Sequence, residues 1–116
     1  MDIYVNTDKN ISGNQELKDR YAQIVDSTLI RFNDNITRVE VHLNDENSDK
    51  KTGQRDKKCN IEAHLKGFHN MSATDFSHEV EAAVAGAAEK LKNALESFFG
   101  KLKDQQYQQL VENKQL

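Results

Sequence analysis

A single stretch, residues 78–104, has the strongest periodicity in the chain. Its apolar side chains recur at steps of three and four, at Val80, Val84, Ala87, Ala88, Leu91, Leu95, Phe98 and Leu102. This spacing places them on one stripe of an α-helix. Ser77 is positioned to cap the amino end of the helix, because its hydroxyl can accept a hydrogen bond from a free backbone N–H. A helix with one apolar stripe needs an apolar surface to pack against, and the rest of the chain has to provide it.

Alternating apolar and polar side chains predict three strands, at residues 2–7, 36–43 and 59–65, and a weaker strand at 69–76. Successive side chains of a strand point to opposite faces, so each of these strands has one apolar face. Combined with the helical stripe, this pattern predicts a core that includes Val39, Val41, Cys59, Ile61, Leu91 and Leu95.

A first helix is predicted between the first two strands, over residues 13–32. Ser12 and Gln15 have the three-residue spacing of a capping box at its start. Its apolar residues again follow a helical period. The predicted inner stripe consists of Leu17, Tyr21, Ile24, Val25, Thr28 and Phe32.

The predicted element order is therefore β-α-β-β-β-α. Three consecutive strands with short or hairpin connections favour antiparallel pairing. One apolar face on each strand means that the sheet is covered on one side only. We predict an α+β fold, a two-layer sandwich in which a four-stranded sheet carries both helices on one face. Gly86, in the middle of the long helix, is expected to let helix and sheet approach closely.

Length and composition indicate one small domain. The chain has 116 residues, of which 36% are apolar and 30% charged, and its net charge is −3. No apolar run approaches the length that spans a membrane, and the amino terminus lacks the features of a signal peptide. The single cysteine, Cys59, cannot form an internal disulfide, so we expect a reducing, cytoplasmic location. The negative net charge argues against a generic nucleic-acid binder.

The connection between the second and third strands is long and polar. It contains one glycine and has no periodicity, so we expect residues 46–56 to be mobile. From Lys50 to Lys66 the chain has six basic residues against two acidic ones, a local excess of +4. Such an excess in an acidic protein favours an approach to phosphate, while a solvated, solubilising loop explains the same charges equally well.

Three segments, RVEVHLNDEN, DKKCNIEAHLKG and AVAGAAEKLKNAL, resemble the ribosome hibernation-promoting factors, also called ribosome-associated inhibitors or sigma-54 modulation proteins. The resemblance spans residues 1–103, which we interpret as one domain of the short form, with 104–116 as a polar tail or helix extension. It implies a fold similar to double-stranded-RNA-binding domains. It also implies binding to the small ribosomal subunit, in the channel of messenger and transfer RNA, and silencing of ribosomes under stress or in stationary phase.

Cations that can neutralise phosphates dominate nucleic-acid affinity. The candidates on the two predicted helices are Lys18, Arg20, Arg31, Lys90, Lys92, Lys101 and Lys103. The candidates in and after the polar connection are Lys50, Lys51, Lys57 and Lys58. For both sets the alternative is an ordinary solvated, charged surface. Asn93, Glu96 and Ser97 occupy helix positions at which the resembling family is more often basic.

No motif for catalysis or cofactor binding is present in the sequence. It contains no glycine-rich phosphate loop, nucleophile elbow or HExxH, so we predict neither an enzyme nor a cofactor. His42 and His64 are predicted as cross-strand neighbours on the open face of the sheet. The spacing of the histidines matches no zinc pattern, so no metal site is predicted. Cys59 is interpreted as a small core residue.

Two hypotheses for function follow. The first is a non-enzymatic ribosome-associated factor, a monomer or weak dimer whose partners are the small ribosomal subunit and its rRNA rather than a membrane or a small molecule. The second is a protein-interaction regulatory module on the same fold that does not bind RNA. The resemblance and the basic connection favour the first, and the negative net charge favours the second.

Overall fold

The predicted order of strands and helices is confirmed in the computed structural model, which describes residues 1–46 and 56–114, with side chains as far as Gln108. The strands are β1 Asp2–Thr7, β2 Ile36–Asp45, β3 Lys57–Leu65 and β4 Met71–Ser77. The helices are α1 Gln15–Leu29 and α2 Val80–Lys114, and a 3-10 turn at Ile30–Asn35 follows α1. Most of the connection predicted to be mobile lies outside the described residues.

The four strands form one sheet in the order β1-β2-β3-β4. The predicted antiparallel pairing of β2, β3 and β4 is confirmed. β1 is parallel to β2, because α1 carries the chain back across the sheet before β2 begins. At the start of the β2–β3 connection, the Glu46 N–H donates to the Asp56 carbonyl over 2.9 Å.

Both helices cover the same face of the sheet, as predicted. The six residues predicted for the core, from β2, β3 and α2, are all fully buried. Of the predicted stripe, Tyr21 and Val25 are buried in α1 and Phe32 is buried in the 3-10 turn that follows it. Leu29, which was not included in the stripe, is fully buried as well. None of the described helices lies on the opposite face of the sheet, and the described side chains of that face are partly or fully exposed.

The predicted caps of both helices are wrong. The cap of α1 is Asn14, whose side-chain oxygen accepts the Leu17 N–H over 2.8 Å. A cap at Ser12 would place Gly13 in the first turn, where glycine is a poor helix former. At α2, Ser77 is still in the β3–β4 ladder, opposite Lys57, and the helix begins only at Val80.

Gly86 allows the close approach that was predicted, and the group that approaches is an aspartate side chain. Asp75 lies on the helix-facing side of β4, opposite Cys59. A Cβ atom on Gly86 would overlap the Asp75 carboxylate. Glycine is therefore needed here for space, although it costs about 1 kcal/mol relative to alanine inside a helix.

α2 has 35 residues, which at 1.5 Å per residue corresponds to about 52 Å. The molecule measures 66 × 25 × 19 Å along its principal axes, so α2 extends well beyond the sheet. The part of the helix after Gly100 includes residues 104–114 of the polar tail. Among the described residues, no helix has the length and apolar content required to cross a membrane.

Candidate nucleic-acid interface

The two arginines of the candidate set, Arg20 on α1 and Arg31 on the 3-10 turn after it, are each paired with an acid on α2. Arg20 Nε lies 2.7 Å from Glu81 Oε1, and an Arg31 guanidinium nitrogen lies 3.1 Å from Glu96 Oε1. Both arginines are largely exposed, so these pairs contribute at most about 1 kcal/mol each to stability. Their main effect is to place a carboxylate beside each cation.

The lysines in the middle of α2 are paired too. Lys90 Nζ lies 2.9 Å from Asp75 Oδ1, on the β4 side of the helix. Lys92 Nζ lies 3.0 Å from Glu89 Oε1, one turn earlier in α2. The arginines face the seam between the helices whereas Lys90 faces β4, so the structure does not bring the helix cations together into one cluster.

Three helix cations remain available. Within the described ranges, Lys18, Lys101 and Lys103 have no ion pair. Lys18 is half-buried on the first turn of α1. Lys101 and Lys103 are exposed on the part of α2 that projects past the sheet. These three ammonium groups need no rearrangement inside the protein before they can meet a phosphate.

The candidate cations in and after the β2–β3 connection divide into two groups. Lys50 and Lys51 lie outside the described residues. Lys57 Nζ sits between two carboxylates, 3.0 Å from Asp45 and 3.2 Å from Asp56, and the hydrogen bond to Asp45, followed by that to Asp56, raises the pKa of Lys57. Lys58 Nζ lies 3.6 Å from Glu46 Oε1 and 5.9 Å from the centre of the Phe76 ring. Through its two carboxylate contacts, Lys57 links the end of β2 to the start of β3.

The open face of the sheet carries a cluster of Glu40, Glu62 and His64 that was not predicted from the sequence. His64 Nε2 lies 2.9 Å from Glu40 Oε2 and 2.8 Å from Glu62 Oε1. The hydrogen bond from His64 is the main cause that holds the pKa of Glu40 below its usual value. The predicted pairing of His42 with His64 is wrong, because the register of β2 and β3 places His42 opposite Asn60 and His64 opposite Arg38.

Cys59 is a core residue, as interpreted from the sequence. It is fully buried in β3, and burial, with a further contribution from the Asp75 charge, raises its pKa to about 12. A thiol in this environment is neutral at physiological pH and is a poor nucleophile and a poor metal ligand.

We expect Cys59 in the native protein to react with a thiol reagent such as Ellman's reagent far more slowly than in denaturant, because only the thiolate reacts. The measurement is the rate of the absorbance increase at pH 8 with and without urea. Similar rates in both conditions would contradict the burial of the thiol.

The raised pKa also predicts that stability falls as the pH rises above the ordinary thiol value of 9.0, since the unfolded chain then loses a proton that the folded chain keeps.

The architecture identifies the class of protein. It is an α+β sandwich with two helices on one face of a four-stranded sheet and an open opposite face. The family model described as Sigma 54 modulation protein / S30EA ribosomal protein matches residues 5–103. The chain belongs to this family of ribosome-associated proteins, and the resemblance identified in the sequence is confirmed.

Two solved structures share this fold. The Thermus thermophilus Protein Y N-terminal domain superimposes with a TM-score of 0.66 at 17% identity, covering 84% of this chain and 99% of that one. A ribosomal subunit interface protein from Coxiella burnetii superimposes with a TM-score of 0.57 at 17% identity, covering 86% of this chain and 99% of that one. At this identity the likeness concerns the fold alone. No curated protein matches the chain.

Proposed function

We propose that the protein binds the small ribosomal subunit through the rRNA of the messenger- and transfer-RNA channel and silences translation under stress or in stationary phase. The observation that carries this proposal is the family match over residues 5–103. The protein acts in the cytoplasm and catalyses no reaction; it acts by occupying the channel. The elongated shape, 66 Å in its longest dimension, suits a factor that lies along a channel.

Phosphate contacts from the helix cations supply the affinity. Lys18, Lys101 and Lys103, which have no ion pair in the described part of the chain, contact phosphates directly. Arg20 and Arg31 exchange a carboxylate for a phosphate, to which a guanidinium can donate two parallel hydrogen bonds. Each exposed ion pair that is lost in this exchange contributes about 0–1 kcal/mol to stability, so the exchange requires little free energy.

The test is sedimentation of the purified protein with small ribosomal subunits over a salt series from about 50 to 200 mM, the range in which phosphate-dependent complexes lose most of their affinity. We expect binding at low salt that weakens steeply as salt is added. Absence of binding at the lowest salt would overturn the proposal. Binding that does not change with salt would indicate a contact other than rRNA phosphates.

The second candidate is a protein-interaction module on the same fold. It is favoured by a specific observation, the pairing of Arg20, Arg31, Lys90 and Lys92 with carboxylates, which reduces the positive potential of the helix layer. The net charge of −3 points the same way. Absence of binding to subunits at low salt would favour this candidate.

The carboxylates beside the arginines give a further prediction. Replacing Glu81 and Glu96 with glutamine removes two groups that compete with phosphate for Arg20 and Arg31. We expect subunit affinity to rise about two- to fivefold, in line with the small free energy of exposed ion pairs.

The matched control replaces Glu16 and Glu79 with glutamine. Both are exposed glutamates that have no ion pair in the ranges the structure describes. Each double variant changes the net charge by the same amount. Sedimentation at one intermediate salt concentration compares them. An equal rise in both variants would show that net charge, and not the release of Arg20 and Arg31, determines the affinity.

A further inference from the structure

Two glutamates face each other on the open side of the sheet. Glu40 of β2 and Glu62 of β3 are direct partners in the antiparallel register. Like charges placed directly opposite each other destabilise a sheet, so a cation close to both carboxylates would stabilise this pair. Each glutamate precedes a histidine by two residues, His42 on β2 and His64 on β3, and all four side chains belong to the same face.

His64 brings its imidazole to both carboxylates at once. Its Nε2 atom lies 2.9 Å from Glu40 Oε2 and 2.8 Å from Glu62 Oε1. One nitrogen and two carboxylate oxygens therefore converge, with all three ligand atoms within 4.8 Å of one another. The side chains of Glu40, Glu62 and His64 are 31%, 38% and 20% exposed, so the cluster is supported from below by the sheet and remains open to solvent.

We propose that Glu40, Glu62 and His64 form a binding site for a divalent transition-metal ion of the Zn²⁺ class. Zinc takes imidazole nitrogen and carboxylate oxygen together in a tetrahedral arrangement. Magnesium and calcium prefer oxygen ligands alone, so the imidazole selects against them. Three protein ligands leave a fourth position for water.

Arg38 lies near this site, but its charge does not replace a metal ion. The Arg38 guanidinium lies 4.0 Å from Glu40 Oε2, at the limit of an ion pair, and Arg38 is the register partner of His64 rather than of either glutamate. It therefore neutralises one carboxylate only in part. A metal ion that replaces the Nε2 proton would contact all three ligands.

Ligand spacings along the chain do not indicate this site. Glu40 is 22 residues before Glu62, and only the strand register brings them together. The site lies on the face opposite the helices and their cations, so it does not depend on the proposed ribosome binding. Zinc titration of the isolated protein leaves the ribosome proposal unaffected whichever result it gives.

The experiment is calorimetric titration of the chelator-treated full chain with ZnCl₂ at pH 7.5 in a buffer that does not bind metal. We expect one equivalent to bind. His64→Ala and Glu62→Gln should each lower the affinity by more than about tenfold, because even groups outside the ligand shell typically contribute 10- to 100-fold. His69→Ala, which removes an exposed histidine between β3 and β4, is the matched control and should bind as the wild type does.

A second readout is thermal unfolding with and without zinc. A ligand that binds the folded state raises the melting temperature, so zinc should stabilise the wild type and the His69 variant but not the His64 variant. Glu62→Gln keeps the size of the side chain and tests the site if His64→Ala unfolds. Absence of saturable zinc binding, equal affinity in the wild type and Glu62→Gln, or an equal loss in His69→Ala would overturn the proposal. Binding of Mg²⁺ as tight as that of Zn²⁺ would overturn the assignment of the metal class.

Discussion

Replacing Lys101 and Lys103 with glutamine is expected to weaken binding to small ribosomal subunits about 30-fold near 0.1 M salt. Both ammonium groups are exposed and have no ion pair in the part of the chain that the structure describes. Each phosphate contact contributes about −0.7 to −0.9 to the slope of log affinity against log salt, so losing two makes the slope shallower by about 1.4 to 1.8. Sedimentation over a salt series measures both the affinity and the slope.

The matched comparison is Lys90→Gln with Lys92→Gln on the same helix. It removes the same charge, but these lysines are held by Asp75 and Glu89 at 2.9 and 3.0 Å. We expect a smaller loss of affinity and a smaller change of slope, because each paired lysine must first leave a carboxylate. Equal effects of the two variants would show that pairing within the protein does not limit the contacts. No effect of either would show that these lysines are not the binding sites.

Leu91→Ala is expected to lower the free energy of unfolding by about 2–5 kcal/mol, the usual range for a large-to-small change in a core. Leu91 is fully buried, at the centre of the α2 stripe that packs on the sheet. The loss combines the apolar transfer free energy with the cavity that remains. Urea unfolding monitored by circular dichroism measures it.

Asn93→Ala is the control for this substitution. Asn93 is exposed two residues further along α2, so alanine there should change stability by less than about 0.5 kcal/mol. A destabilisation by Leu91→Ala of less than 1 kcal/mol would contradict the packing of α2 against the sheet.

The sequence alone was sufficient to predict the element order, the class of fold and the principal core. The reason is that burial leaves a local signature. Val39 and Val41 repeat every second residue because β2 has one covered face, and Leu91 and Leu95 repeat at a helical step because α2 packs on that face. The three segments that carry the family resemblance lie in these same elements and the connections beside them. The family match over residues 5–103 confirms the resemblance.

Features that depend on only a few residues were predicted less well. The caps at Ser12 and Ser77 were wrong because several polar residues near a helix start can act as caps, and the choice depends on where the neighbouring strand ends. Asn14 was closer to the first turn of α1, and the pairing of Ser77 with Lys57 kept Ser77 in β4. These differences of a few residues left the fold unchanged.

Only the tertiary structure decided which charged groups meet. Arg20 and Glu81 are 61 residues apart in the chain, and Arg31 and Glu96 are 65 apart, so nothing in the local pattern relates them. Their contact depends on how α1 lies beside α2. The approach of His64 to Glu40 and Glu62 depends in the same way on the β2–β3 register. Periodicity reports which side of an element is buried, whereas the partner of an exposed charge is determined by the packing and register of the elements, which alternation and helical spacing do not encode.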